Sequence, residues 1–402
     1  MVKTMFSKGK IVAKTGNEIM AEAMRQIAPD VVAAYPITPA TEIVQIFSQF
    51  VADGKVPTEF VAVESEHSAM SATISASVAG ARAMTGTSSQ GFALMWEMLY
   101  IAAGLRLPIV MAEVNRALSA PINIHGDQSD TMGARDAGWI QIYSENSQEA
   151  YDNMIQSVRI AEAAKLPAMV TTDGFIISHC MEVAEVYPDA DVKEFVGEYK
   201  PERALLDYKR PFTLGAIDLQ DYYFEHRYQL AQAMRDSKKI ILEVADEFKK
   251  KFGREYGFYE KYEMDDAEIA IVTIGSAAGT TKAVVDNLRA KGIKAGLIKI
   301  RVYRPFPAEE IAKDLSKVKA IAVLDRADSC SATFAPVYLD VVAALYANCG
   351  DKAPKAENYV YGLGGREISL EHIEEVYMKL DAVAKGTKKA STQVEYINVR
   401  IK

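Results

Sequence analysis

Three side chains of different chemistry stand at comparable places early in the chain. They are Thr38 in AYPITPATE, Glu66 in VAVESEH, and Arg116 at the head of NRALSAPINIHGDQSD. An arginine can clamp a small carboxylate through two parallel hydrogen bonds, and a shielded acid can hydrogen-bond a heteroaromatic ring nitrogen. Each of the three follows an apolar, β-rich run. An open α/β sheet gathers its binding groups at the carboxyl ends of its strands, so a hydroxyl, an acid and a cation are expected to share one cleft.

Each residue also has a plainer reading. Glu66 opens a helix in which Ser68, Ala69, Ser71, Ala72, Ser75, Ala76, Ala79 and Gly80 are nearly all small, so another backbone can come close. A carboxylate buried there calls for a specific partner, but Glu66 could instead cap the orphan amides of the first turn, leaving Glu64 at the surface. Pro36 and Pro39 stiffen the turn around Thr38, which presents a substrate-facing hydroxyl or else makes Thr38 or Thr41 an N-cap assisted by Glu42. Arg116 is either a carboxylate clamp or the partner of Glu113, Asp127, Asp130 or Asp136 in an internal ion pair.

The turns TGTSSQGF (85–92) and TIGSAAGTT (273–281) are of the kind whose amides cradle a phosphate, although neither is GxGxxG and neither carries a P-loop lysine. GLGGR at 362–366 reads as a tight turn. His67, in a first helical turn, reads as structural, and His125, His179, His226 and His372 are too dispersed to mark a metal site.

The elements that must position these groups follow a βαβ rhythm, which predicts an α/β fold of two doubly wound parallel-sheet domains. In the first (1–190), strands are expected at 31–36, 60–65, 81–87, 107–114 and 166–173. A connecting segment (191–265) shows no clean period of either kind. A second α/β domain (266–385) has strands expected at 268–276, 295–307 and 320–326, and a C-terminal arm (386–402) could reach a partner.

Composition bounds the function. With 54 acidic against 46 basic residues and a net charge of −8, the chain would repel a phosphate backbone, so no nucleic-acid partner is expected. Three cysteines, Cys180, Cys330 and Cys349, are too few to ligate an iron–sulfur cluster alone and fit a reducing cytoplasm. No apolar run reaches the roughly 18 residues of a membrane span, and the N-terminus lacks the core of a signal peptide.

AYPITPATE, VESEH with its small-residue helix, TGTSSQGFALM and NRALSAPINIHGDQSD, in that order, closely resemble the α subunits of multi-chain pyruvate:ferredoxin oxidoreductases, of the 2-oxoacid:ferredoxin oxidoreductase family. The likeness continues through RVYRPFP to GLGGR and so covers nearly the whole chain. It implies a thiamine-diphosphate pyrimidine-binding domain followed by a transketolase C-terminal-like domain.

By this resemblance Glu66 bonds the pyrimidine ring nitrogen, Gln90 is a further cofactor contact, Arg116 clamps the substrate carboxylate, and Thr38 hydrogen-bonds the substrate near the reacting centre. The family's GDG motif for magnesium and diphosphate does not occur in this sequence. The resemblance therefore implies half of a cofactor site. A β subunit would hold the diphosphate, Mg2+ and an iron–sulfur cluster, a δ subunit ferredoxin-like clusters, and a γ subunit a further domain, with coenzyme A as substrate and ferredoxin as acceptor.

Within this class the alternative substrates are branched-chain 2-oxoacids and 2-oxoglutarate, because Thr38 and Arg116 would serve any 2-oxoacid. A noncatalytic scaffold is the alternative from another class. A nucleotide-dependent ligase or dehydrogenase would lack both the P-loop and GxGxxG.

Overall fold

The computed structural model describes residues 6–330 and 332–400. The strands of the first half are β1 (Lys10–Thr15), β2 (Val31–Ala34), β3 (Glu59–Ala62), β4 (Ala83–Thr87), β5 (Val110–Asn115), β6 (Ile140–Tyr143), β7 (Ala168–Asp173) and β8 (Met181–Val186). Those of the second half are β9 (Tyr259–Tyr262), β10 (Ile269–Ile274), β11 (Ala295–Ile300), β12 (Val302–Arg304), β13 (Ala320–Asp325), β14 (Lys355–Val360) and β15 (Glu395–Tyr396). The α/β class expected from the sequence is what the structure shows.

The first sheet has the order β12-β6-β7-β5-β4-β2-β3, parallel except for β12. β5 and β7 are buried along their whole length, as strands covered by helices on both faces must be. From β2 the chain runs outward to β3 and then returns to the other flank of β2 as β4, so the strand order reverses at β2. The crevice outside the carboxyl ends of β2 and β4 is thus where a doubly wound sheet takes its ligand. β1 and β8 form a separate antiparallel ribbon.

The second sheet has the order β15-β14-β13-β10-β11-β9, parallel except for β9, with an apolar core on each face. Three expectations change here. The run read as one strand over 295–307 splits: β11 stays in the second sheet, while β12 pairs antiparallel with β6 at the edge of the first. The stretch without a legible period holds a helix, Tyr223–Phe252, whose buried Ile241, Val244, Ala245, Phe248 and Phe252 do repeat at helical spacing. Its period is masked by the exposed aromatic residues of its own first turns, such as Phe224 and Tyr228. Of the C-terminal residues expected to form an arm, Glu395 and Tyr396 form β15 and add to this chain's own sheet.

The domains are joined by buried polar contacts. Asp173, at the carboxyl end of β7, accepts from Ser276 N–H (2.8 Å), Gln128 Nε2 (2.9 Å) and Arg326, whose Nη1 lies 3.1 Å away. Arg326 and Asp173 are almost wholly buried, and removing one partner of such a pair costs about 3–5 kcal/mol because the other is left uncompensated.

Asp325, at the end of β13, accepts from the amides of Val337 and Tyr338 and from Asn358. Burial, the largest cause, pushes its carboxyl from 3.8 up to about 7 against the pull of those donors. The folded chain therefore keeps a proton that the unfolded chain has released, so this residue's contribution to stability is present at the acid end and declines as pH rises from about 4 to about 7. Asp325→Asn is expected to flatten the fall of Tm between about pH 5 and pH 7. A slope identical to that of the unmodified chain would refute this linkage.

Candidate active site

Thr38, Glu66, Gln90 and Arg116 all lie just beyond the carboxyl ends of first-sheet strands: β2, β3, β4 and β5 in that order. The helix Glu66–Ala79 begins at Glu66, and Ser65 is its N-cap, accepting from the Ser68 amide through its hydroxyl. Glu66 is therefore not the capping residue, and its carboxyl is spared for another partner. It is 6% exposed, and burial raises its pKa against the opposing pull of its own backbone amide. No side chain among the described residues donates to it.

Gly91 clears the space in front of this acid, because a Cβ there would stand 2.4 Å from Glu66 Oε1. Glu66 thus lies against bare backbone at Gly91. This environment suits a neutral or ring-bound N–H donor better than a hydrated ion, and it fits the aminopyrimidine of thiamine diphosphate.

Arg116 is 7% exposed. Its Nε donates to Asn123 O and its Nη1 to Thr38 O, both at 2.9 Å. None of the four acids near it in sequence forms an ion pair with its guanidinium among the described residues; Asp130 instead accepts from the Arg116 backbone amide at 2.9 Å. Two carbonyls fix the plane of the guanidinium, and two of its five N–H donors are spent on them, so three remain for a ligand. Thr38 is exposed, and no hydrogen bond among the described residues engages its hydroxyl. The N-cap of the following helix is neither Thr38 nor Thr41 but Ala40.

The contacts link these residues into one wall. Arg116 touches Thr38. Ser89 Oγ lies 2.7 Å from the carbonyl of Ala117, next to Arg116, and 2.6 Å from Gln90 Oε1, and Gly91 lies against Glu66. Ser89 holds a left-handed backbone (φ 49°), a conformation that costs a β-carbon residue about 1 kcal/mol or more and occurs where a strand-to-helix turn must aim a group.

Asp130 sets this wall, and the sequence offered it only as a partner of the Arg116 guanidinium. Fully buried, it accepts from the amides of Ser89, Arg116 and Thr131 and from Asn115 Nδ2, tying the end of β4 to the end of β5. Its carboxyl is pushed up to about 6, chiefly by burial. Glu113 lies behind it, also fully buried, with both oxygens lacking a donor. Burial, reinforced by the Asp130 charge, pushes the Glu113 carboxyl well above the usual range. Two carboxylates in one dry pocket do not both ionise, so Glu113 keeps its proton and Asp130, which has the donors, carries the charge.

In each of the two turns considered as phosphate cradles, one amide is already engaged within the chain. The Ser89 amide donates to Asp130 and the Ser276 amide to Asp173, so neither is left for a phosphate oxygen. His67 pairs with exposed Glu97 and takes no part in the wall.

Comparison with known proteins bears on the family and the fold. Residues 22–246 match the family described as "Pyruvate flavodoxin/ferredoxin oxidoreductase, thiamine diP-bdg", and residues 267–373 match "Pyruvate:ferredoxin oxidoreductase core domain II". The chain is 56% identical to pyruvate synthase subunit PorA of Thermotoga maritima, over 91% of this chain and 93% of that protein. It is 47% identical to the Pyrococcus abyssi protein of the same name, over 96% and 97%. Ketoisovalerate oxidoreductase subunit VorA of Pyrococcus abyssi is 42% identical over the same shares.

Among solved structures, 2-oxoglutarate:ferredoxin oxidoreductase from Magnetococcus marinus superposes with a TM-score of 0.74 over 92% of this chain and 65% of its own, at 18% identity. That likeness speaks for the fold. The chain therefore belongs to the pyruvate flavodoxin/ferredoxin oxidoreductase family.

Proposed function

We propose that this chain is the α subunit of a thiamine-diphosphate-dependent pyruvate:ferredoxin oxidoreductase, which carries out the reversible oxidative decarboxylation of pyruvate to acetyl-coenzyme A and CO2. The observation that carries the reading is Glu66, a buried carboxyl without a side-chain donor, facing the bare backbone of Gly91 in the crevice where the strand order reverses. Thiamine diphosphate, when bound, supplies the electron sink for cleavage between the keto carbon and the carboxylate.

In this reading the chain's own residues bind and orient. Glu66 holds a proton between its carboxyl oxygen and the ring nitrogen, and its raised pKa keeps that proton available. Arg116 presents its spare N–H donors to the substrate carboxylate, Thr38 offers its hydroxyl beside that carboxylate, and Gln90 contacts the cofactor from the β4 turn. Partner chains of the β, γ and δ types supply the diphosphate anchor, Mg2+ and the iron–sulfur clusters, and pass electrons to ferredoxin.

A cytoplasmic setting goes with this reading. No helix among the described residues is long and apolar enough to cross a membrane. We place the pyrimidine-binding domain at 1–190, the connecting segment at 191–265, the transketolase C-terminal-like domain at 266–385 and the arm at 386–402, with β9 of the segment and β15 of the arm pairing into the second sheet. Pyruvate is preferred over a branched 2-oxoacid because identity to the pyruvate synthase subunits reaches 56%, against 42% for the ketoisovalerate subunit.

Calorimetry tests the shared site. Thiamine diphosphate with Mg2+ should bind the isolated chain at least about 10²-fold more weakly than the complex copurified with its partners, a difference of about 2.8 kcal/mol. Equal affinity for the chain alone, or a native complex that reduces no ferredoxin with pyruvate, would overturn the proposal.

A further inference from the structure

We propose that the second domain positions the substrate-binding cation: the glycine turn at 362–366 holds Asn123, and Asn123 in turn holds Arg116. This relay rests on the reading of Arg116 as the clamp for the 2-oxoacid carboxylate.

The Arg116 guanidinium is fixed at two points, and they differ in kind. One is the carbonyl of Thr38, in the short turn after β2. The other is the carbonyl of Asn123, which belongs to a long excursion between Arg116 and the helix that starts at Ser129. That loop is closed near its ends by the Ala117 amide on His125 O (3.1 Å) and the Leu118 amide on Ser129 Oγ (3.2 Å), and its tip is exposed at Ile122 and Ile124. By itself such a loop would place Asn123 O only loosely.

The second domain supplies the missing constraint. Asn123 Nδ2 donates to Gly364 O (3.0 Å), and the Gly364 amide donates back to Asp127 Oδ2 (3.0 Å), so Gly364 spends both of its backbone polar groups on the loop that carries Asn123. Asn123 Oδ1 accepts from the His125 amide (2.8 Å), which orients the side chain so that its NH2 faces Gly364. The turn has to be glycine on two counts. Gly364 and Gly365 have φ of 59° and 80°, and β-carbons there would stand 2.3 Å from Asn123 Nδ2 and 2.4 Å from His125 Cβ.

The domain carrying the turn is itself anchored to the first sheet by Asp173, through Ser276 and Arg326. A rigid path thus runs from the second domain to Arg116 Nε. Asn123 is a positioning residue, and what it controls is affinity for the carboxylate.

Steady-state kinetics of the assembled complex test the relay. Asn123→Ala is expected to raise the KM for pyruvate about 10-fold with kcat changed less than about twofold, the signature of lost uniform binding, and to leave the KM for coenzyme A unchanged. Asn123→Asp, which keeps the acceptor for His125 but loses the donor to Gly364, should behave as Asn123→Ala does. Gly364→Ala should reproduce the effect from the other domain. The double variant should be no worse than the more severe single one, because the side chain that would clash is gone.

Arg116→Ala serves as the reference. If it raises the pyruvate KM while Asn123→Ala and Asn123→Asp do not, the relay is wrong and the clamp stands. If Arg116→Ala leaves that KM unchanged, the clamp itself is wrong. Equal losses in every kinetic parameter together with a lowered Tm would mean that the turn only stabilises the fold, and this also overturns the proposal. Should Gly364→Ala fail to assemble, the two Asn123 variants decide the matter.

Discussion

Glu66→Gln in the assembled complex is expected to lower pyruvate turnover by about 10²–10⁴-fold, the range that a positioned acid–base group contributes. The substitution is nearly isosteric, so the close approach of Gly91 is preserved and the N-cap at Ser65 is untouched. What changes is the chemistry of one atom pair. A glutamine amide presents an N–H or a carbonyl to the ring nitrogen but has no exchangeable proton near neutrality to share with it. Loss of kcat with the cofactor still bound at full occupancy is the expected pattern. Turnover within a few-fold of the parent would sink the assignment and favour a purely structural Glu66.

The second large effect belongs to Arg116. Arg116→Ala removes charge-assisted hydrogen bonds to the substrate carboxylate, worth about 3 kcal/mol together, so the KM for pyruvate should rise about 10²-fold. Arg116→Lys should recover only part of this, because an ammonium cannot reproduce the planar fork that the carbonyls of Thr38 and Asn123 orient. Removing the guanidinium also frees those two carbonyls, so a general loosening of the loop has to be distinguished from loss of the clamp. Pyruvamide, the neutral amide, makes that distinction. The parent should discriminate strongly in favour of pyruvate, and the alanine variant should lose the preference. A variant that still prefers the anion would show that another group reads the charge.

Most of the first sheet was legible because its strands are continuous apolar runs ended by turn residues, as in LPIVMAEVN before Arg116. That punctuation also placed Thr38, Glu66 and Arg116 at strand ends. The elements that escaped are short or carry the wrong pattern. β6 has four residues including buried Gln141, β12 has three, and β1 alternates toward solvent at the periphery.

At the site, sequence proximity named Asp130 but could not say which donor it would take; it takes backbone amides that a side-chain inventory does not count. Asn123 and Gly364 lie 241 positions apart, and nothing local in either segment announces their contact. That the Ser89 and Ser276 amides of the small-residue turns are engaged by Asp130 and Asp173 was equally hidden, because a local pattern does not reveal which carboxylate from elsewhere in the chain will reach it.

β12 lies in a sheet that most of its own half of the chain does not join. Severing the polypeptide between Phe252 and Ala267 and discarding the downstream portion would strip the outer margin of β6, baring amides and carbonyls that any extended peptide could bind. The upstream fragment would then tend to self-associate however well its own core packed. Swapping the downstream half between relatives would succeed only where the transplanted strand restores that border.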